Sequence, residues 1–294
     1  MTAVLASIPS PSSGNIDLGP LTIHVYGLML LLGILGATWL SGMRAVRAGA
    51  CDWDFIFRLA MWGVAGGIVG ARAYHVATSW SEVPDEWWGV FAVWKGGLGV
   101  WGGVAAGVGV GAVLVKRAGK GIFEFMDYVG PGILFAQGVG RWGNYFNQEL
   151  FGKPTGLPWG LEISPANRPA GYAGAATFHP TFLYEFIWDL IGVAVLLWVG
   201  RRFRIRAPGL FCLYVAWYTF ARASWEEHLR VDPSHYVLGQ RLNAWVAIGL
   251  FLLAVFGFFW AQRQRTEPPG QGPGRGVPAG PRMAIPKSGV RRGR

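Results

Sequence analysis

Three arginines stand inside otherwise apolar stretches of this 294-residue chain: Arg72 in GARAYH, Arg141 in GVGRWGNYFNQELFG and Arg222 in YTFARASWEE. Within a bilayer a charged side chain costs about 2.5–3.5 kcal/mol on insertion scales, so each is a candidate for function. Snorkelling to a membrane surface would account for any one of them alone. Together with Lys95 and Arg241 they outnumber the carboxylates that could neutralise them, Glu149, Glu185 and Glu226. Surplus positive charge calls for an anion. At a membrane edge that anion is a lipid phosphate, which the planar guanidinium fork grips through two parallel hydrogen bonds.

Conventional covalent catalysis finds no support. The chain has no GxSxG, HExxH or Walker loop, and no pair of aspartates at metal-binding spacing. Cys51 and Cys212 form neither a CxxC nor a ligand cluster. No metal and no cofactor is expected. An enzyme equipped this way would use its substrate's own nucleophile and supply the electrostatics.

The elements that must position these groups follow from composition. Hydrophobic residues make up 52% and charged residues 14%, and mean hydropathy is +0.33. A soluble domain carries about 25% charged residues. The 16 tryptophans and 18 phenylalanines suit a lipid–water boundary. Seven stretches reach the length of about 20 apolar residues that a bilayer requires: 21–43, 55–79, 92–115, 126–144, 181–200, 209–226 and 242–261. Counts of six or eight remain open, because hydropathy is weakest where function adds polar groups. The expectation is an all-α polytopic membrane protein.

Basic residues in the loops set its orientation. Alternate connections, with the tail, hold 17 lysines and arginines against 3 in the other set. The N-terminus is therefore expected outside and the C-terminus in the cytoplasm. The polar groups of five or six helices then fall at one depth, the outer leaflet: His24 and Tyr26, Arg72 and His75, Lys95, Arg141 and Asn144, Arg222 and Glu226, and Arg241. Arg58 alone lies at an inner end, where snorkelling suffices. In KGGLGVWGGVAAGVGVGA, Gly103, Gly107 and Gly111 suit helix packing. Gly96, Gly97 and Gly99 could equally line a headgroup pocket.

Three regions are expected. Residues 1–20 lack a positive region ahead of an apolar core and read as an external segment, not a cleaved signal peptide. Residues 21–263 form the transmembrane catalytic domain. Residues 264–294, rich in Pro, Gly and Arg, read as a disordered basic cytoplasmic tail. Eight of the 26 basic residues lie from Arg263 onward. The net charge of +10 thus reflects topology and anionic lipid, and no nucleic-acid partner is expected.

GRWGNYFNQELFG, Gly140 to Gly152, closely resembles the signature of the prolipoprotein diacylglyceryl transferases, G-R-x-G-N-F-x-N-x-E-x-x-G, with Tyr145 where phenylalanine is usual. HVYGLMLLLG, GARAYH, WKGGLGVWGG, HPTFLYE and YTFARASWEE resemble further family segments, in the expected order. The resemblance covers all but the tail. It implies transfer of the diacylglyceryl group from phosphatidylglycerol to the lipobox cysteine thiol in the signal peptide of a bacterial prolipoprotein. Glycerol 1-phosphate is released, in the first step of lipoprotein maturation. It further implies a bacterial plasma-membrane enzyme whose active site faces the outer leaflet.

Carried over by position, the resemblance makes Arg141 the headgroup arginine. Asn144, Asn147, Glu149 and Gly152 are signature substrate-binding positions. Arg222 is a second essential arginine, Glu226 its carboxylate neighbour, and Tyr26 the first-span tyrosine. His24 and Gly97 join the candidate substrate-binding residues. Many members carry a histidine, considered a base, where this chain has Trp101, which cannot accept a proton. His24 and Glu149 are the nearest alternatives, and His75, His179 and His228 stay open. A transporter or lipid-binding channel is the alternative function and a non-catalytic scaffold a third. Transporters, however, usually gather polar groups at the midplane.

Overall fold

A computed structural model describes residues 7–19 and 21–263; the expected basic tail and, of the N-terminal segment, residues 1–6 and 20 lie outside the described residues. The long helices are α1 (Val25–Arg47), α2 (Trp53–Thr78), α3 (Val100–Arg117), α4 (Ile122–Asn147) and α5 (Thr181–Arg202). α6 (Gly209–Ala221) runs through a π turn, Arg222–Glu226, into a short α7 (Glu227–Leu229), and α8 (Leu242–Arg263) follows. Small antiparallel ladders join β1 (Asn15–Leu18) to β2 (Leu21–His24), β3 (Leu161–Glu162) to β4 (Thr177–Phe178), and β5 (Tyr236–Val237) to β6 (Gln240–Arg241).

Helices occupy the expected stretches, with two shifts. The first begins at Val25, because residues 21–24 pair as a strand. The third begins at Val100, because residues 89–95 form 3-10 turns and Gly96 and Gly97 take positive φ. By length and composition α1, α2, α3, α5 and α8 could each cross a membrane. α4 carries Glu124, Asp127 and Arg141, and α6 has only 13 residues before the π turn; both fall short of that criterion. Polar function lowers hydropathy in α4, and a change of helical pitch divides α6.

Small residues decide which helices touch. α1 lies on α4, where a Cβ on Gly33 would stand 3.1 Å from the Ala136 carbonyl oxygen. α2 meets α3 antiparallel along Gly70 against Gly102, and Gly63 against Gly107. The core of the α4–α5–α6 group is Leu40, Leu134, Val193, Leu196, Leu210 and Tyr214. There Trp188 and Trp217 stack with centroids 4.5 Å apart. Each indole donates to the other's backbone oxygen, at 3.2 and 3.1 Å.

α4 contains Pro131. Proline has no N–H, so the Asp127 carbonyl four residues earlier loses its intrahelical donor. Arg44 of α1 supplies one, its Nη1 donating to the Asp127 and Tyr128 carbonyls. The Asp127 carboxylate accepts from the Phe211 N–H at 2.8 Å, at the start of α6. A helix breaker thus becomes a junction of three helices. The loop after α4 is folded as well. Phe151, Leu161, Ile163 and Phe178 make a core with Phe182 of α5. Ile8 pairs with Leu161, and Gly152 with Arg230.

Candidate functional site

Arg141 leaves α4 between one and two turns before its end at Asn147, and Glu185 lies on α5 one turn after its start at Thr181. The two form an ion pair. From α6, Arg222 sends Nη1 to Glu226 Oε1 at 2.5 Å, and Nη2 to Glu227 Oε1. Glu226 Oε1 also lies 3.5 Å from Arg141 Nη2 and 3.2 Å from Arg230 Nη1. Arg230 reaches Asp232 at 2.7 Å. Arg241 stands 2.7 Å from Asp232 and 3.1 Å from Glu227 Oε2, although that last pair is not aligned as a hydrogen bond.

Four arginines therefore face four carboxylates in one buried network. The expected surplus of arginine is corrected: Glu227 and Asp232, which the sequence reading did not count, neutralise it. A buried charge stripped of its partner costs several kcal/mol, and full pairing removes that cost. The π turn makes the arrangement possible. On a regular α-helix successive residues diverge by about 100°. Here Glu226 and Glu227 are both turned inward, at 1% and 2% exposure, and both contact Arg222.

The two principal arginines are not equally engaged. Arg222 commits both terminal nitrogens to carboxylates. Arg141 meets its carboxylates through Nη2 only. Among the described residues its Nη1 and Nε hydrogen-bond to nothing. One edge of that fork remains available for an anion.

The other signature residues follow Arg141 along the end of α4 and into the loop beyond it. Asn144 Nδ2 and Asn147 Nδ2 both donate to Glu149 Oε1, at 3.0 and 3.3 Å, an arrangement that suits a carboxylate as acceptor. A Cβ on Gly143 would collide with the Tyr26 ring, so this glycine seats the first-span tyrosine on α4. Gly152 leaves room for His179, whose Cβ would lie 2.7 Å away from a Cβ there. Burial pushes the His179 imidazole below its ordinary value. Asp189, one turn along α5 from Glu185, is 2% exposed, and its Oδ2 has no hydrogen-bond partner among the described residues.

Other candidates sit elsewhere. Arg72 does not join the network. It donates through Nε to the Val90 carbonyl at 2.9 Å, and through Nη1 to those of Gly96 and Gly97 at 2.9 and 3.0 Å. Nη2 donates to Gly89. Gly97, at φ +69°, allows this: its Cβ would stand 2.7 Å from Arg72 Nη1. Lys95 is 3.8 Å from Glu86 and lies over the Trp88 ring. His24 contacts Asn15, Nδ1 to Oδ1 at 2.7 Å, and His75 lies 3.9 Å from Glu82. Trp101 is 56% exposed. The sequence does contain a signal for part of the network, since Arg222, Glu226 and Arg230 follow at i, i+4 and i+8, the spacing of one helical face, but Glu227 and Asp232 fall off that spacing.

Known proteins resemble this chain over most of its length. The family model for prolipoprotein diacylglyceryl transferase matches residues 14–260. The chain is similar to the phosphatidylglycerol–prolipoprotein diacylglyceryl transferase of Cutibacterium acnes, 47% identical over 261 residues, 88% of each chain. It is 46% identical over 259 residues to transferase 2 of that name from Streptomyces coelicolor, covering 85% of this chain and 80% of the relative. The Frankia alni transferase is 45% identical over 267 residues, 88% of this chain and 69% of its own length.

Proposed function

This chain is a transferase of the prolipoprotein diacylglyceryl transferase family, and we propose that it moves diacylglyceryl from phosphatidylglycerol to the lipobox cysteine of a bacterial prolipoprotein. The cysteine sulfur attacks the glyceryl carbon that carries the phosphoester. A C–S bond forms, the C–O bond breaks, and the electron pair leaves on glycerol 1-phosphate. This is the first step of lipoprotein maturation.

The observation that carries the reading is the half-open fork of Arg141 beside an Arg222 whose two terminal nitrogens are both held by carboxylates. Nη1 and Nε of Arg141 bind the headgroup phosphate, while Glu185 and Glu226 hold Nη2 and so aim the fork. Arg222 positions Glu226. The donors of Arg141 stabilise charge on the departing phosphate, and the incoming cysteine, whose free pKa near 8.5 leaves a few per cent ionised at neutral pH, attacks as thiolate. Glu149, steadied by Asn144 and Asn147, takes the thiol proton in the role Trp101 cannot fill. Tyr26, seated against Gly143, and Gly152, which makes room for His179, shape the site.

In the membrane, seven segments cross: α1 to α5, α6 with its π turn, and α8. The 17-to-3 asymmetry of basic residues supports an external N-terminus, a cytoplasmic C-terminus and a site at the outer leaflet of the plasma membrane. Residues 264–294 form a basic cytoplasmic tail.

The test is release of glycerol phosphate from phosphatidylglycerol vesicles by the purified chain, with and without a lipobox peptide. Release only with a cysteine-containing peptide, accompanied by lipidation of that peptide, is the expected result. Release with a serine-substituted peptide, or none with either, would refute the reading.

A further inference from the structure

A second lipid site is suggested at the opposite end of the α2–α3 pair from Arg72. Along most of their length these helices touch through small residues: Gly70, Gly67 and Gly63 face Gly102, Gly103 and Gly107. Such seams bring backbones close. The seam ends at Gly111, where the nearest contact is Leu59, 3.7 Å from a Cβ there. Beyond it both helices carry large side chains, Phe55 and Ile56 pack with Val115, and beside that contact lies a groove of about 320 Å³, open on one side. Phe55, Leu59, Trp62 and Leu114 line it, together with Arg58 from α2 and Arg117 from α3.

Snorkelling explains either arginine alone, because an isolated guanidinium at a helix end needs only water. It does not explain why two of them, from different helices, line one apolar cavity. Among the described residues neither makes a hydrogen bond or ion pair. Asp54, one turn before Arg58, forms no ion pair with it. Two like charges sharing a wall repel, and an anion between them removes that repulsion.

We propose that this cavity binds an anionic phospholipid, with its phosphate between Arg58 and Arg117 and an acyl chain against Leu59, Trp62 and Leu114. The chemistry is that of a phosphate with an apolar tail, and basic pockets between transmembrane helices bind headgroups in this way. In the orientation proposed above the site belongs to the inner leaflet, separate from the Arg141 network.

The full chain is released from mixed phosphatidylglycerol–phosphatidylcholine nanodiscs and its retained lipids are counted by native mass spectrometry. R58Q/R117Q is expected to lose one phosphatidylglycerol and to bind it at least tenfold more weakly, with phosphatidylcholine unchanged. K116Q, one residue away, should keep it. L114W, which fills the cavity but leaves both charges, should lose it while retaining a cooperative thermal transition. The same loss is expected in an Arg141→Ala background, so this site and the transferase reading fail separately. Retention by R58Q/R117Q, equal loss in K116Q, or retention by L114W would overturn the proposal. Displacement by millimolar inorganic phosphate would also overturn it, assigning the cavity to a free ion.

Discussion

Arg141 and Arg222, from helices far apart in the chain, converge on one carboxylate oxygen: Glu226 Oε1 lies 3.5 Å from Arg141 Nη2 and 2.5 Å from Arg222 Nη1. The shared oxygen ties the end of α4 to the π turn after α6. It also divides labour between the two arginines, since Arg222 commits both terminal nitrogens to carboxylates and Arg141 only Nη2.

That division predicts different responses to lysine. Arg141→Ala should lower turnover on phosphatidylglycerol by about 10²–10³, the usual cost of removing a preorganised donor. Arg141→Lys should remain severely impaired, because an ammonium cannot hold Glu185 and a phosphate in one plane. Arg222→Lys should lower thermal stability as well as rate, since it loses one of two carboxylate contacts. Near-normal turnover by Arg141→Lys would argue against fork recognition.

Glu226 is the hub, and its loss should be felt in stability before catalysis. Glu226→Ala leaves Arg141, Arg222 and Arg230 without their common partner. Breaking a buried pair from one side costs about 3–5 kcal/mol. The expected result is a clear fall in the thermal unfolding midpoint in detergent. Glu226→Gln, which keeps the shape and loses the charge, should fall less. Equal midpoints for wild type and Glu226→Ala would show that the network contributes no net stability.

Acid should loosen the segment between α7 and α8. Burial alone would raise the Asp232 carboxyl, but hydrogen bonds and charge from Arg230 and Arg241 outweigh it and hold the group below its ordinary value of 3.8. A carboxyl lowered by folding contributes stability that is complete above that ordinary value and is lost as pH falls through the folded one. Hydrogen exchange across 230–241 should therefore be flat near neutrality and accelerate, relative to intrinsic rates, only below about pH 4. Asp232→Asn should remove that acid step.

Arg72 is expected to act on the loop before α3. Arg72→Ala removes donors to the Gly89, Val90, Gly96 and Gly97 carbonyls. Limited proteolysis should then cut residues 80–99 faster while the α4–α5–α6 group stays protected. Unchanged cleavage would mean that the loop is held by its aromatic contacts alone.

Much of the fold was legible in the sequence, because the signals are local. Runs of about 20 apolar residues and the glycines of the third stretch marked helices that formed where expected. The signature from Gly140 to Gly152 drew attention to Arg141, Asn144, Asn147 and Glu149, which do gather at the end of α4. The partners of Arg72 were not legible, because backbone carbonyls leave no mark on side-chain composition. Its four acceptors are peptide oxygens of residues whose side chains say nothing about them.

What the sequence alone determined is the family, the helices and the residue types fit to hold a phosphate, since each follows from neighbours within one or two helical turns. Which charges cancel was decided only by the tertiary structure. Glu227 and Asp232 look like solvated loop residues in one dimension. They become the partners of Arg222, Arg230 and Arg241 because a π turn and the packing of α4, α5 and α6 bring distant segments to a single buried point, where Coulomb energy depends on separation in space and not along the chain.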